Sequence, residues 1–339
     1  VIRKITKLAV EKTGLSSFPE GTVILSTRAP IGKVAIAGCE MYCNQGFKNL
    51  ICSEKIFNKY LYWFLKGNTM FLNSLGRGAT FKEISKAIVS EIEINVPEIE
   101  EQHEIVKILE KVNTIIRFRK QELSVLDTLV KARFVEMFGD AVDNPMGWEK
   151  KQLQEIVTDD CTISYGIVQT GNDQEEGVPV FRPVDIVNRI PKLEELKRTT
   201  EEISNKYKRT ILKGHEMLIT VRANIADTCI VGKEFKGCNV GRGIVPIRTQ
   251  ENIMVLEFLK YLMDSKHLND DIKSKAKGIT LIQLNMEDLR EVELIVPPIE
   301  QQKAFVEFAE QVDKSKVKVQ KALDETQKLF DSLMQQYFG

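Results

Sequence analysis

Ile94-Asn-Val-Pro-Glu-Ile99-Glu-Glu-Gln102 returns later in the chain as Leu294-Ile-Val-Pro-Pro-Ile299-Glu-Gln-Gln302. The match then runs on without a gap. Val106 falls on Val306, Val112 on Val312, Leu123 on Leu323, Leu129 on Leu329, and Phe138-Gly139 on Phe338-Gly339. A period this long is not a solenoid unit of about 20–50 residues. It is a whole domain duplicated together with a helix. Two similar modules on one chain suit a target that itself comes in two parts.

Behind each proline-rich start the sequence predicts one long helix, over 98–140 and again over 298–339. Alternating steps of four and three from Ile105 meet Leu109, Val112, Ile116, Arg119, Leu123, Leu126, Val130, Arg133 and Met137. The second copy gives Phe305, Ala309, Val312, Lys316, Val319, Leu323, Thr326, Phe330, Leu333 and Tyr337. This is a heptad seam. Pro97 and Pro297-Pro298 sit where proline fixes the start of a helix, and Glu100, Glu101 and Glu104 complement its dipole. Each stripe could pack on its own domain, but a helix of about 40 residues is ~60 Å long, more than a small domain is wide. The economical solution is that the stripes bury each other, antiparallel about a pseudo-twofold axis. The polar seam positions differ between copies (Arg119 against Val319, Arg133 against Leu333, Ile116 against Lys316), and such breaks commonly fix register.

Between the helices, 141–297 reads as a complete domain. Short β-type runs at Thr162–Val168, Val178–Phe181, Glu216–Val221, Thr228–Val231, Ile244–Ile247 and Val292–Val296 are punctuated by Gly and Pro, and Glu251–Lys275 is helical in character. The earlier copy, 1–97, matches it in part. Ser26-Thr-Arg28-Ala-Pro-Ile-Gly-Lys33 aligns with Thr220-Val-Arg222-Ala-Asn-Ile-Ala-Asp227, Cys43-Asn44 with Cys238-Asn239, and Gly78-Ala-Thr80 with Gly278-Ile-Thr280. Extrapolated backwards, Val1 falls near Glu195, so the first copy is expected to begin mid-domain. The expected fold is mixed α+β: two duplicated domains, 1–97 and 141–297, separated by two long helices that form an antiparallel coiled coil.

Hydrophobic content of 43% and charge of 28% describe a soluble globular chain. No apolar run approaches the ~18 residues of a membrane span, and Val1-Ile-Arg-Lys4 lacks the h-region of a signal peptide. A cytoplasmic protein with no membrane contact is the expectation. The six cysteines (39, 43, 52, 161, 229, 238) form no CxxC pair, and the histidines (103, 215, 267) lie far apart, so neither a disulfide framework nor a metal site is expected. The net charge of zero hides a distribution: residues 1–97 hold 13 basic and 7 acidic groups, residues 140–297 hold 22 and 26. That excludes a strong non-specific polyanion binder but leaves room for a local basic face.

Taken together, the entries Val-Pro-Glu-Ile-Glu-Glu-Gln (96–102) and Val-Pro-Pro-Ile-Glu-Gln-Gln (296–302), the Gly-x-Thr loops at 78–80 and 278–280, Tyr165-Gly-Ile-Val-Gln-Thr-Gly171 and Gly147-Trp148-Glu149 resemble the specificity subunit of type I restriction-modification systems. Order, spacing and duplication carry the resemblance along the whole chain. It departs from the family in the missing front of the first domain. The resemblance implies two target-recognition domains, each reading one half of a bipartite, asymmetric double-stranded DNA sequence, with the coiled coil as a spacer ruler. It also implies partners: two methyltransferase subunits, which bind S-adenosylmethionine, and restriction subunits driven by ATP. The charged outer faces of the helices (Lys107, Lys111, Lys120, Lys131) are available to them.

The chain itself carries no catalytic set. Asp143-Asn-Pro-Met146 lacks the second proline and aromatic of an amino-methyltransferase motif and reads as a turn. Gly76-Arg-Gly78 and Gly241-Arg-Gly243 are not followed by Gly-Lys-Ser/Thr. A non-catalytic subunit with no cofactor of its own is therefore the expectation, against a fused nuclease-methyltransferase or a coiled-coil scaffold that binds other proteins. Candidate DNA contacts come from the aligned loops. Arg28 and Arg222 recur at the end of a strand, with Lys33 and Asn224 on the same turns. Arg77, Thr80 and Lys82 recur approximately as Lys277, Thr280 and Gln283. A Gly-x-Thr loop with flanking cations can bring N–H groups to phosphate, or Thr80 and Thr280 can simply cap a helix; both readings stand. Tyr165, Gln169, Arg182 and Arg242 are further candidates in the second domain, where ordinary surface roles compete. The run Lys206-Tyr-Lys-Arg209, interleaved with Glu201 and Glu202, reads more readily as a solvated helix face.

Overall fold

The computed structural model describes residues 4–78, 82–186, 191–278 and 282–339. In chain order the elements are α1 (Lys7–Thr13), β1 (Val23–Ser26), β2 (Val34–Ile36), β3 (Phe47–Leu50), α2 (Asn58–Gly67), α3 (Thr69–Ser74), α4 (Lys86–Ser90) and α5 (Ile99–Phe138). Then come β4 (Glu149–Gln152), α6 (Leu153–Ile156), β5 (Val178–Phe181), β6 (Lys197–Thr199), α7 (Glu201–Asn205), β7 (Glu216–Thr220), β8 (Thr228–Val231), β9 (Asn239–Val240) and β10 (Ile244–Ile247). The chain closes with α8 (Leu256–Met263), α9 (Lys266–Ser274), α10 (Met286–Arg290), β11 (Glu293–Val296) and α11 (Ile299–Phe338). Residues up to Leu123 with Val317–Gly339 form one compact unit, and Ser124–Lys316 form the other. Each unit thus holds one domain, the start of the helix that follows it, and the end of the other helix. No helix among the described residues is long and apolar enough to cross a membrane.

The two units repeat one design. In the first, β1 is the centre of an antiparallel sheet ordered β2-β1-β3; in the second, β7 takes that place in β10-β7-β8. Val23 and Leu25 of β1 are buried in the first core; β7 is buried throughout, with Met217 and Ile219 on one face and Leu218 on the other. Helix α2 lays Tyr60, Trp63, Phe64 and Leu65 against the first core, and α8 lays Phe258, Leu259, Leu262 and Met263 against the second. The second unit adds the sheet β6-β5-β9, built on Phe181, Leu218, Val231 and Val240, and the pair β11-β4.

Two sequence expectations need correction. Thr162–Val168 is not a strand; it touches the sheet through one parallel bridge, Ile167 to Gly241. The chain there runs so close that a Cβ at Gly166 would lie 2.1 Å from the Val240 carbonyl oxygen. The match of Cys43 with Cys238 also shifts. The Phe18 N–H donates to Met41 O at 3.0 Å as the Leu212 N–H does to Cys238 O at 2.8 Å, and Thr27 N–H donates to Gly46 O as Val221 N–H does to Gly243 O. Met41, not Cys43, is therefore the counterpart of Cys238. The extra residues of the second copy lie around the 3-10 turn Lys233–Phe235.

The repeated Gln of the opening motif is a buried latch. Gln302 is fully buried; its Oε1 accepts the Val255 N–H at 2.9 Å, and its Nε2 donates to Ile253 O at 3.0 Å and Pro297 O at 2.8 Å. Gln102 does the same with Phe57 N–H, Lys55 O and Pro97 O. Each carboxamide ties the start of a long helix to the residue that caps α2 or α8.

The seam is antiparallel in both units. In the first, Val112 and Ile116 pack with Leu323, Phe330 and Leu333, and Arg119 donates to the Ala322 carbonyl and the Thr326 hydroxyl. In the second, Phe134 meets Phe305 at 5.4 Å, and Lys316 pairs with Asp127 at 2.7 Å and Asp313 at 3.2 Å. Burial pulls the Lys316 pKa down, but the two carboxylates more than offset it and hold the ammonium above its ordinary value. The helix ends carry the repeated Phe-Gly. Phe338 packs on Tyr60 at 5.1 Å, as Phe138 packs on Phe258 at 4.8 Å. Replacing Gln302 by Leu would leave one N–H and two carbonyls buried without partners. The expected loss is about 2–4 kcal/mol of unfolding free energy in urea; a loss under ~1 kcal/mol would show the latch to be dispensable.

Candidate nucleic-acid interface

The turn after the central strand is built alike in both units. The Thr220 hydroxyl donates to the Asn224 carbonyl and accepts the Asp227 N–H at 3.0 Å. The Ser26 hydroxyl donates to the Pro30 carbonyl at 2.7 Å and accepts the Lys33 N–H at 2.9 Å. The backbone closes the turn too: Ala226 N–H to Thr220 O at 2.8 Å, Gly32 N–H to Ser26 O at 3.0 Å. Both donors lie in left-handed backbone, at φ 63° for Ala226 and 88° for Gly32. A small hydroxyl residue at the strand end is what lets the turn close on itself while its tip stays outside. Lys33 and Asn224, on these turns, are exposed.

A second loop is fastened beside the first. Lys277 and Gln283 exchange backbone hydrogen bonds at 2.9 and 3.0 Å, and Leu284 N–H donates to Val221 O at 2.9 Å. Arg77 and Glu83 exchange them at 3.0 Å, and Ile84 N–H donates to Thr27 O at 2.9 Å. Gly78 and Gly278 begin the loops at φ 128° and 126°, a conformation that favours glycine. Thr80 and Thr280 lie outside the described residues. Glu83, not Lys82, stands opposite Gln283 in the repeat; Lys82 is exposed, with its Cβ beside Gly76.

In the second unit the neighbours of Arg222 gather most of the remaining candidates. The Tyr165 hydroxyl donates to Leu284 O at 3.4 Å, and the Arg242 N–H donates to Ile167 O at 2.8 Å while its side chain stays exposed. Gly243 passes so close to Pro183 that a Cβ would lie 2.5 Å from its ring. Arg182 precedes that proline, but its guanidinium is held by Asp185, at 3.0 Å from Nε and 2.8 Å from Nη2. The hydrogen bonds to Asp185 raise its pKa despite partial burial. Arg182 therefore braces the turn Pro183–Asp185. Gln169 is exposed on the segment after Ile167. Arg28, Lys33, Arg77 and Lys82 belong to the first unit and the others to the second.

Among the partners of these cations, Glu83 and Asp288 were not singled out from the sequence, and Gln283 was read there only as the counterpart of Lys82. Arg28 Nε lies 3.0 Å from Glu83 Oε2, Arg222 donates through Nη2 to Gln283 Oε1, and Lys277 Nζ lies 3.5 Å from Asp288 Oδ2. The signal was present in the ungapped repeat, which places 83 on 283 and 88 on 288. Elsewhere, Lys206 pairs with Glu202 at 2.9 Å on an exposed helix. The Asn144 side chain accepts from Trp148 N–H and donates to Trp148 O, which makes Asp143–Met146 a turn. Burial pushes the Cys229 and Cys238 thiols up to about 11, so they stay protonated and inert.

The model of the family "Type I restriction modification DNA specificity domain" matches residues 3–128 and 145–326. The chain is 28% identical to the type I restriction enzyme MjaIX specificity subunit of Methanocaldococcus jannaschii, over 98% of this chain and 80% of that protein. It is 24% identical to the EcoBI specificity subunit of Escherichia coli, over 99% and 78%. Among solved structures, the type I restriction-modification S subunit from M. genitalium superimposes with a TM-score of 0.58 at 16% identity, over 95% of this chain and 83% of that one. A chain from a structure of type I R-M complex assembly gives 0.62 at 21%, with the same coverage.

Thr220→Val would keep the strand but leave the Asp227 N–H without its side-chain acceptor. We expect a loss of about 1–2 kcal/mol in chemical denaturation and faster amide exchange at Asp227. Unchanged exchange there would show that the hydroxyl does not hold the turn.

Proposed function

Because the chain belongs to the type I restriction-modification DNA specificity family, we propose that it is the non-catalytic, sequence-reading subunit of such a complex, in which partner methyltransferase and restriction subunits carry the chemistry. Residues 1–97 and 141–297 are the two recognition domains, each reading one half of a bipartite, asymmetric double-stranded site. Residues 98–140 and 298–339 are the spacer between them. The observation that carries this reading is the pair of loops repeated hydrogen bond for hydrogen bond in both units, each presenting cations at equivalent positions. Arginine and lysine on rigid loops hold phosphates or read base edges in the major groove.

The helices also suit partners. Beside the buried seam, α5 exposes Ile108, Ile115 and Phe118 in the first unit and Val125, Leu129 and Val135 in the second. An apolar stripe left to water on a coiled-coil helix is a docking face for other helices. This shifts the expected partner surface from the charged outer faces to the apolar stripe between them. A gel shift with the partner methyltransferase, with and without S-adenosylmethionine, tests the assignment. Retardation of a target duplex that requires the partner supports it; none under any condition overturns it.

The ruler has its own test. Seven residues added to each helix, after Arg119 and after Ala322, keep the 3.5-residue seam and lengthen each by about 10 Å. At ~3.4 Å per base pair, methylome sequencing should find the two half-sites unchanged and the gap longer by about three base pairs. An unaltered gap would show that the helices do not set it.

A further inference from the structure

We propose that the two units grip DNA through different members of the same cation pair, Arg77 in the first and Arg222 in the second, because a carboxylate occupies the other member in each. The inference rests on the DNA-reading function and assigns which positions carry it.

Four positions are equivalent: backbone pairing matches 28 with 222, 77 with 277 and 83 with 283, and the ungapped repeat places 77, 83 and 88 on 277, 283 and 288. In the first unit they hold Arg, Arg, Glu and Ile; in the second, Arg, Lys, Gln and Asp. Each set therefore has two cations and one carboxylate, but the carboxylate has moved. Glu83 meets Arg28 at 3.0 Å, while Arg77 is exposed and has no ion-pair partner among the described residues, its potential neighbour at 88 being Ile. In the second unit Gln283 holds the Arg222 guanidinium through Nη2 with a neutral oxygen; among the described residues no carboxylate compensates its charge and its Nε has no hydrogen-bond partner. There Asp288 faces Lys277 at 3.5 Å, with an Oδ2 that accepts no hydrogen bond among the described residues.

These pairs are partly exposed, so they contribute little to folding. Their effect on a ligand is larger in kind. A cation with a carboxylate 3 Å away presents a near-neutral dipole to an approaching phosphate, which must first displace the carboxylate. An uncompensated cation meets the phosphate with its full charge and releases a counterion as it binds. Glu83 and Asp288 are thus positioning residues that decide which cation is available.

The test uses the full chain bound to its methyltransferase, on a duplex carrying the sequence that the intact system methylates, with affinity measured across a salt series. Arg77→Ala and Arg222→Ala should each weaken binding several-fold and flatten the slope of log K against log salt by about 0.9. Arg28→Ala and Lys277→Ala should flatten it by less than half as much. The decisive variants are Glu83→Gln, which installs the residue already present at 283, and Asp288→Asn. Each should release a silenced cation and steepen the slope by a similar amount. If Glu83→Gln weakens binding, Glu83 itself touches the DNA and the proposal falls. Equal losses at all four cations also overturn it, while the DNA-reading function stands. A wild-type complex that fails to bind the duplex at all would overturn the function and this inference with it.

Discussion

Each unit's core is closed by the end of a long helix. Phe338 seats on Tyr60 and Phe64 of the first unit, and Phe138 among Phe258, Phe305 and Trp148 of the second. Without these rings, the apolar faces of α2 and α8 would be left open to water. The hydrophobic effect that drives the closure is non-directional, so direction has to be set by polar atoms. The Gln102 and Gln302 carboxamides supply it, since each saturates three backbone groups that only one placement of the helix start can bring together. Latched at its start and seated by an aromatic ring at its end, each long helix has little freedom to slide.

The polar atoms in the seam act in the same sense. An arginine among apolar side chains is costly unless its donors are met. Arg119 finds the Ala322 carbonyl and the Thr326 hydroxyl, and Lys316 finds Asp127 and Asp313. A slip by one helical turn would carry Arg119 away from both of its acceptors and Lys316 away from Asp127, while Asp313, on the same helix, would move with it. Such pairs add little net stability over a hydrophobic replacement; their contribution is to make one register cheaper than its neighbours.

The large-scale organisation was legible because it rests on periodicity. A heptad seam is a property of spacing alone, and all ten positions read from each helix are buried or half-buried. The turn Ser26–Lys33 and its partner Thr220–Asp227 were legible as an alignment, though not as hydrogen bonds. What escaped depends on tertiary neighbours. Thr162–Val168 has the composition of a strand, but Gly166 is pressed against the Val240 and Gly241 carbonyls and the segment keeps one bridge. The cysteine match failed because identity of two residues outweighed backbone pairing across an insertion. Arg182 looked free because Asp185, three residues on, gave no sign that it would take both donors of the guanidinium. At the candidate interface the cations were visible and the carboxylates beside them were not, for a pair such as Lys277 and Asp288 is made by a loop and a helix that meet only in the fold.

That blind spot bears on how a chain of zero net charge can hold a polyanion. Without a strong overall field there is little long-range attraction to draw DNA in, and at physiological salt exposed charges are felt over only about 8 Å. Attraction must then come from single cations at short range, where one carboxylate at 3 Å is enough to cancel one of them. Moving that carboxylate from position 83 in one unit to position 288 in the other leaves the local charge of each set the same. It changes only where on the surface the charge is offered. Two domains built on one backbone pattern can in this way meet two unlike half-sites without any change to the loops that carry the contacts.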